Sequence, residues 1–334
     1  MENRRDIAVD IAKTIGIALV VVGHISGSSE GSGLVCVRDF IYQFHIPLFF
    51  FLSGYCYKAN ESWSSFIVKK LRRLYIPFIV WNLVFFAVHI LAHSLAGERL
   101  NGLDIIKRSC KLLLGLDVTP LGGATWFLIT LLQALLLYKL ITTIFKNQPT
   151  WLVVLFSALF GFLGSFLYLP WGLGRTLVAV PFICAGHYTR TFNLLGRFKP
   201  CLQLSWSALG LCLLVVFSRI NRPDMALQQY GMIPLFWVAA FVGVYTVLLL
   251  CIRVSSVGLF IRFSNWGQRT MWILIGHFAA FKLVSLAQIA DFNHRWDILF
   301  AHPCNEVCGL WPLAYFSCGF FLPLALSRLS ELWN

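Results

Sequence analysis

Near the N-terminus, one apolar stretch carries three side chains able to do acid–base chemistry: Asp10, Lys13 and His24. Lys13 and His24 are eleven residues apart, close to three helical turns. On a helix both side chains fall on nearly one face, about 16 Å apart along the axis. Asp10 lies one turn before Lys13 on a similar face. A membrane helix with Asp, Lys and His on one stripe turns that stripe toward protein or water. Histidine exchanges a proton near neutral pH, which makes His24 a candidate general base. A satisfied structural histidine is the competing reading. Asp10 and Lys13 also read as ordinary juxtamembrane charges, or as a pair in which Asp10 fixes Lys13.

A second set follows downstream. His45 precedes Pro47 in the run Phe44-His45-Ile46-Pro47, and proline inside an apolar helix frees backbone groups and kinks it. Ser53-Gly54 permits close helix approach, and Tyr55 follows. Lys69-Lys70-Leu71-Arg72-Arg73 places four cations in five residues, a site for phosphates or a positive flank that stops translocation. His277 lies within a late apolar run, where burial makes an ionisable group a functional candidate. His89, His93, His294 and His302 fall near span ends or loops, where interfacial roles suffice.

The elements that must position these residues are membrane helices. Apolar residues make up 58% of the 334 positions and charged residues 12%, far from a soluble domain's balance. The runs are continuous and long enough to cross a bilayer as helix, which excludes a strand-based barrel. Ten spans are expected: Ile11–Gly27, Phe40–Tyr57, Tyr75–Leu95, Thr125–Phe145, Trp151–Leu169, Thr176–Thr189, Leu202–Ser218, Ile233–Ile252, Thr270–Ile289 and Leu310–Leu326. The fold class is therefore all-α, a polytopic helix bundle, with 1–334 a single membrane domain and no separate soluble one. With both termini cytoplasmic, 17 Lys and Arg residues lie inside and 9 outside, Lys282 being within a span. That bias fits the positive-inside rule and explains the net charge of +13 without nucleic acid. Met1–Asp10 carries both signs of charge and no processing site follows, so a retained first helix is expected. Most cysteines lie in apolar runs and read as small buried hydrophobes. Cys304 and Cys308 fall in an expected outer loop that would permit a disulfide. No cysteine spacing suits zinc, and no metal is expected.

Taken together, Lys13-x10-His24, the Phe44–Tyr55 segment and the basic-x-x-Arg73-x-x-x-Pro77 segment resemble membrane acyltransferase family 3, and within it the fucose 4-O-acetylase-like sugar acetyltransferases. Trp126-Phe127-Leu128 and Gly267-x-x-Thr270-Met271-x-x-Leu274-x-x-His277 extend the likeness, which covers residues 6 to 277. Two departures stand out: Lys13 and Lys70 replace the arginines usual there, keeping the charge but losing the bidentate fork. The resemblance implies an acetyl-CoA or other acyl-CoA donor and a carbohydrate acceptor, lipid-linked or in a surface polysaccharide, at a bacterial inner membrane. On this reading Lys13, Lys70, Arg72 and Arg73 hold the donor's phosphates on the cytoplasmic side. His24 takes the proton from the attacking sugar hydroxyl, with Asp10 fixing Lys13. His45 and His277 are candidates to support the imidazole or the oxyanion, and Ser53, Tyr55 and Trp126 to meet substrate. The sequence leaves oligomeric state open. The rival reading is a transporter or flippase for a glycan intermediate, its path lined by the polar stripe.

Overall fold

The computed structural model describes residues 6–26, 34–95, 100–291, 303–305 and 307–332. Among them the chain is a bundle of α-helices, with one isolated bridge pairing Asp224 and Gln229. With no water in a bilayer core, the backbone must satisfy its own polar groups, and continuous apolar runs do so as helix. Seven spans are long and apolar enough to cross a membrane. They are Ile7–Ser26, Leu34–Tyr55, Trp63–Ser94, Pro120–Ile144, Leu202–Ile220, Ile233–Val254 and Gly258–Ala290.

The other three expected spans are also helical. Thr150–Gly164 has 15 residues and is short for a bilayer core of about 30 Å at about 1.5 Å per residue. Leu173–Thr191 carries Arg175, Pro181 and Arg190, which dilute its hydropathy. Its middle is fully buried at Val178, Ala179, Val180, Phe182 and Ile183, so it is sheltered from lipid by protein. Trp311–Leu332 completes the ten.

The helices cluster into two compact units. One comprises residues 1–56 and 185–334, the other residues 57–184. In the first, α1 (Ile7–Ser26) lies against α2 (Leu34–Tyr42) and α3 (His45–Tyr55). The packing is antiparallel: Gly16 meets Leu48 and Phe49, whereas Gly23 meets Ile41 and Tyr42. The second unit holds α4 (Trp63–Lys70), α5 (Ile76–Leu95), α6 (Gly102–Leu113), α7 (Trp126–Ile144), α8 (Thr150–Gly164) and the start of α9 (Leu173–Thr191). The first unit continues with α10 (Pro200–Ile220), α11 (Ile233–Val254), α12 (Gly258–Ser264), α13 (Thr270–Asp291) and α14 (Trp311–Leu332). There α10 packs on α11, and α13 on α14.

Two local departures from regular helix matter for the site. The break in the second span is at Gln43–Phe44, one turn before the kink expected at Pro47. Pro47 has no N–H for the Gln43 carbonyl and its ring crowds that group, so the helix restarts at His45 with proline in its first turn. Gln43 fills the gap, its Nε2 donating to the Asp39 carbonyl at 3.0 Å and the Asn221 carbonyl at 2.7 Å. The second departure is a π-helical turn over Leu71–Tyr75, which joins α4 to α5 and carries Arg72 and Arg73. Such turns recur at functional sites because they re-aim side chains.

Candidate active site

The first unit brings two distant stretches of sequence together at both ends of α1. At the N-terminal end, Lys13 Nζ pairs with Asp10 Oδ1 at 3.1 Å. Asp10 is buried and Lys13 half-buried, so α1 turns this pair inward. Gln268 donates to Asp10 Oδ2 at 3.4 Å, and Thr14 Oγ1 donates to the Phe263 carbonyl at 3.0 Å. Gly267 lies so close to the Asp10 carbonyl that any Cβ there would collide with it. Glycine at 267 is therefore what lets α1 and the Trp266–Arg269 turn touch at the backbone.

At the other end of α1, His24 meets His277 of α13, ring centroids 5.3 Å apart with 31° between planes. Phe278 stands edge-on to His24 at 4.7 Å. His24 is half-buried and faces protein, whereas His277 is fully buried. His277 Nδ1 lies 2.8 Å from the Ile273 carbonyl, so Nδ1 is the donor there and Nε2 is the nitrogen left for other partners. A Cβ at Gly23 would press on Tyr42, so glycine admits that ring beside His24. Tyr42 in turn packs on His45, centroids 4.8 Å apart. His45 Nδ1 lies 2.9 Å from the Ile41 carbonyl and is the donor there in the same way.

The second unit holds the basic cluster. A groove of about 480 Å³ is lined by Ser64, Ser65, Val68, Lys69, Arg72 and Arg73. Arg72 and Arg73 are exposed, and among the described residues neither makes an ion pair. Lys69 bonds Glu61 Oε1 at 2.5 Å. Lys70, expected to partner Arg73, instead lies over the Phe66 ring at 5.3 Å and is not part of the groove wall. Helical geometry explains this, since residues 65, 69 and 72 share a face that residue 70 leaves by about 100°.

The profile described as an acyltransferase domain, acyltransferase family 3, matches residues 6–329. The chain belongs to acyltransferase family 3. It is also similar to a nodulation protein, NolL, of Sinorhizobium fredii, with 26% identity over 327 residues, 88% of this chain and 82% of that protein. A NolL of Mesorhizobium japonicum matches at 26% over 159 residues, 45% of this chain and 39% of that one. No solved structure matches. With its apolar helices, this acyltransferase 3 chain is a multi-pass membrane protein.

The acyltransferase 3 residues singled out from sequence do not all converge. Asp10, Lys13, His24 and His277 are joined by α1 and α13, and His45 reaches the His24 turn through Tyr42. Ser53 does not join them, because its hydroxyl is spent on its own helix, on the Phe49 carbonyl at 2.8 Å. The close approach expected at Ser53-Gly54 is made by Gly186, whose missing Cβ would strike the Phe51 carbonyl. Tyr55 receives Arg190, Nη1 donating to its carbonyl at 3.1 Å. Trp126 lies in the second unit under Arg175, 4.8 Å from the ring centroid. Cys304 is buried and Cys308 exposed, and no disulfide joins them. His294 and His302 lie outside the described residues.

Sequence reasoning missed several polar groups. Asp39 is buried between Arg222, 3.0 Å away, and Arg38 at 3.6 Å, and Arg38 also pairs with Asp224 at 3.1 Å. The two halves of this cluster, 38–39 and 222–224, are far apart in sequence, and no local pattern joins them. Lys139 is buried within α7 and donates to the Ala59 carbonyl at 2.8 Å and the Glu61 carbonyl at 2.7 Å. Its signal was available: a lysine inside an apolar run seeks a partner.

Proposed function

We propose that this chain is an acyl-CoA-dependent O-acyltransferase of the bacterial inner membrane, moving an acetyl group to a carbohydrate hydroxyl. The observation that carries the reading is the His24–His277 pair, held between two membrane helices of an acyltransferase family 3 chain. Two imidazoles in contact within an apolar bundle need a reason, and proton transfer supplies one.

The chemistry follows from the groups in place. Neutral His24 accepts the hydroxyl proton as that oxygen attacks the thioester carbonyl carbon. The C–S bond breaks, the ester forms, and the leaving CoA sulfur takes the proton back from the imidazolium. No acyl-enzyme is needed. His277, fixed by Ile273, supports the charge that develops on His24. Arg72 and Arg73, exposed on the π turn, hold phosphate oxygens of the donor, with Lys69 on the same groove wall. Asp10 and Gln268 set the position of the Lys13 end of α1. Lys13, half-buried and paired, can still offer its charge to the donor.

The test is reconstitution. The full chain in proteoliposomes receives acetyl-CoA with and without isolated surface glycan. The proposal expects free thiol release that depends on glycan, with acetyl groups appearing on the glycan by mass spectrometry. Glycan crossing the bilayer with no thiol release would instead make the chain a carrier.

A further inference from the structure

The second unit contains a cavity of about 130 Å³ whose walls include Phe78, Asp117, Trp126, Thr130, Trp171 and Arg175. Its chemistry is unlike that of the basic groove. Two indoles stand beside one carboxylate and one guanidinium. A sugar ring presents the complementary surface, with apolar C–H faces and hydroxyls that both donate and accept.

The walls are built rather than incidental. Trp171 adopts φ +56° and ψ 14°, the left-handed region that bulky side chains avoid. Such conformations persist only where the surroundings over-determine them, and they cluster at ligand clamps. Here Trp171 Nε1 donates to the Leu114 carbonyl at 3.1 Å, and its own carbonyl accepts Gln133 Nε2 at 3.4 Å. Gly172 follows at φ +66°, and any Cβ there would collide with the Arg175 guanidinium. That guanidinium in turn sits over Trp126, 4.8 Å from the centroid.

The segments that carry the walls are equally fixed. Asn82, fully buried, donates to the Phe78 carbonyl and to Thr125 Oγ1, both at 2.9 Å. Its Oδ1 accepts the Thr119 N–H at 2.9 Å and the Thr119 hydroxyl at 3.1 Å. This network pins the 119–125 segment and so the start of α7 at Trp126. Asp117 is oriented by Arg108, 3.2 Å away, and by the Val118 N–H at 2.8 Å, and remains about a third exposed.

We infer that this cavity binds one sugar ring of the carbohydrate acceptor, with Trp126 and Trp171 against its C–H surface and Asp117 and Arg175 on its hydroxyls. The inference rests on the carbohydrate reading above and deepens it by naming where the acceptor is recognised. At about 130 Å³ the cavity is below the roughly 300–1,000 Å³ of pockets for larger ligands, which suits a single ring. The rest of a glycan would extend past Trp171, which is 47% exposed at the rim.

The experiment uses the full chain in lipid nanodiscs and saturation-transfer NMR with methyl glycosides of fucose, galactose and N-acetylglucosamine. Wild type is expected to transfer saturation to the ring protons of at least one of them. Trp126→Phe keeps an aromatic surface and should retain the signal. Trp126→Leu and Asp117→Asn should weaken binding roughly tenfold, the size of one lost charge-assisted hydrogen bond or stacking contact. Unchanged helical circular dichroism shows that each variant is folded. No saturation of any glycoside, or equal saturation in wild type and both variants, overturns the site. Glycan-dependent thiol release is read on the same preparations. Sugar binding without thiol release overturns the acyltransferase reading and leaves the site standing. Thiol release with sugar signals insensitive to Trp126 and Asp117 overturns the site alone.

Discussion

His24 was legible in the sequence because it is an imidazole beyond a long apolar run, and such residues turn toward protein. Its partner was less so. His277 could be named as a candidate, but nothing in the spacing showed that it would lie 5.3 Å from His24 across 253 positions. The Asp10–Lys13 pair was readable from one-turn spacing alone. The basic cluster was readable as a cluster but not residue by residue, since the groove wall takes Lys69 and leaves out Lys70. A donor prediction follows at this scale. Replacing Arg72 and Arg73 together with alanine should raise the acyl-CoA concentration for half-maximal rate about tenfold, equivalent to one charge-assisted bond of about 1.5 kcal/mol. The rate at saturating donor should hold. Lys70→Ala should move the donor titration less than that pair does, and a larger effect would put Lys70, not Lys69, on the phosphates.

At the scale of elements, the helices were visible in the apolar runs, but the joints between them were not. The Gln43–Phe44 break, the π turn at Leu71–Tyr75 and the Gly267–Asp10 contact depend on packing that no window of sequence contains. Gly267→Ala tests the last. The added Cβ must push the Trp266–Arg269 turn off α1, so melting in detergent should come earlier and Gln268 should lose Asp10. Lys139 tests the α7 joint. Lys139→Met strips the donor from the Ala59 and Glu61 carbonyls, at about 1–3 kcal/mol for a buried group left unsatisfied. A fall in melting temperature, with faster amide exchange over residues 57–62, is the expected result. Acid should loosen the neighbouring staple. The Lys69 bond, helped by Ser65, holds the Glu61 carboxyl below its ordinary value. A depressed carboxyl stabilises the fold above its unfolded value and loses that contribution as pH falls through the folded one. The staple between Glu61 and α4 should therefore persist at neutral pH and weaken only below the usual carboxylate range of about 4.

For the whole molecule, composition was enough to establish a polytopic α-helical bundle, and the chain's family membership agrees. The division into residues 1–56 with 185–334, and 57–184, was not legible, because the polar stretch 58–62 at the first boundary reads as an ordinary loop between spans and the second boundary falls inside α9. The proposed orientation, both termini cytoplasmic, makes a prediction that uses native cysteines. Cys36 and Cys56 are both exposed and lie at opposite ends of the second span. In sealed cells carrying single-cysteine variants, an impermeant maleimide should label Cys36 and spare Cys56, and the reverse pattern would invert the topology. The central claim is that the imidazole on α1 removes the acceptor's proton. Its most direct measurement is glycan-dependent thiol release from acetyl-CoA by His24→Ala, at matched protein level in proteoliposomes. The account predicts a drop of about 10²–10⁴-fold, the usual worth of a general base, with acetyl-CoA still bound. Turnover near that of wild type would contradict it.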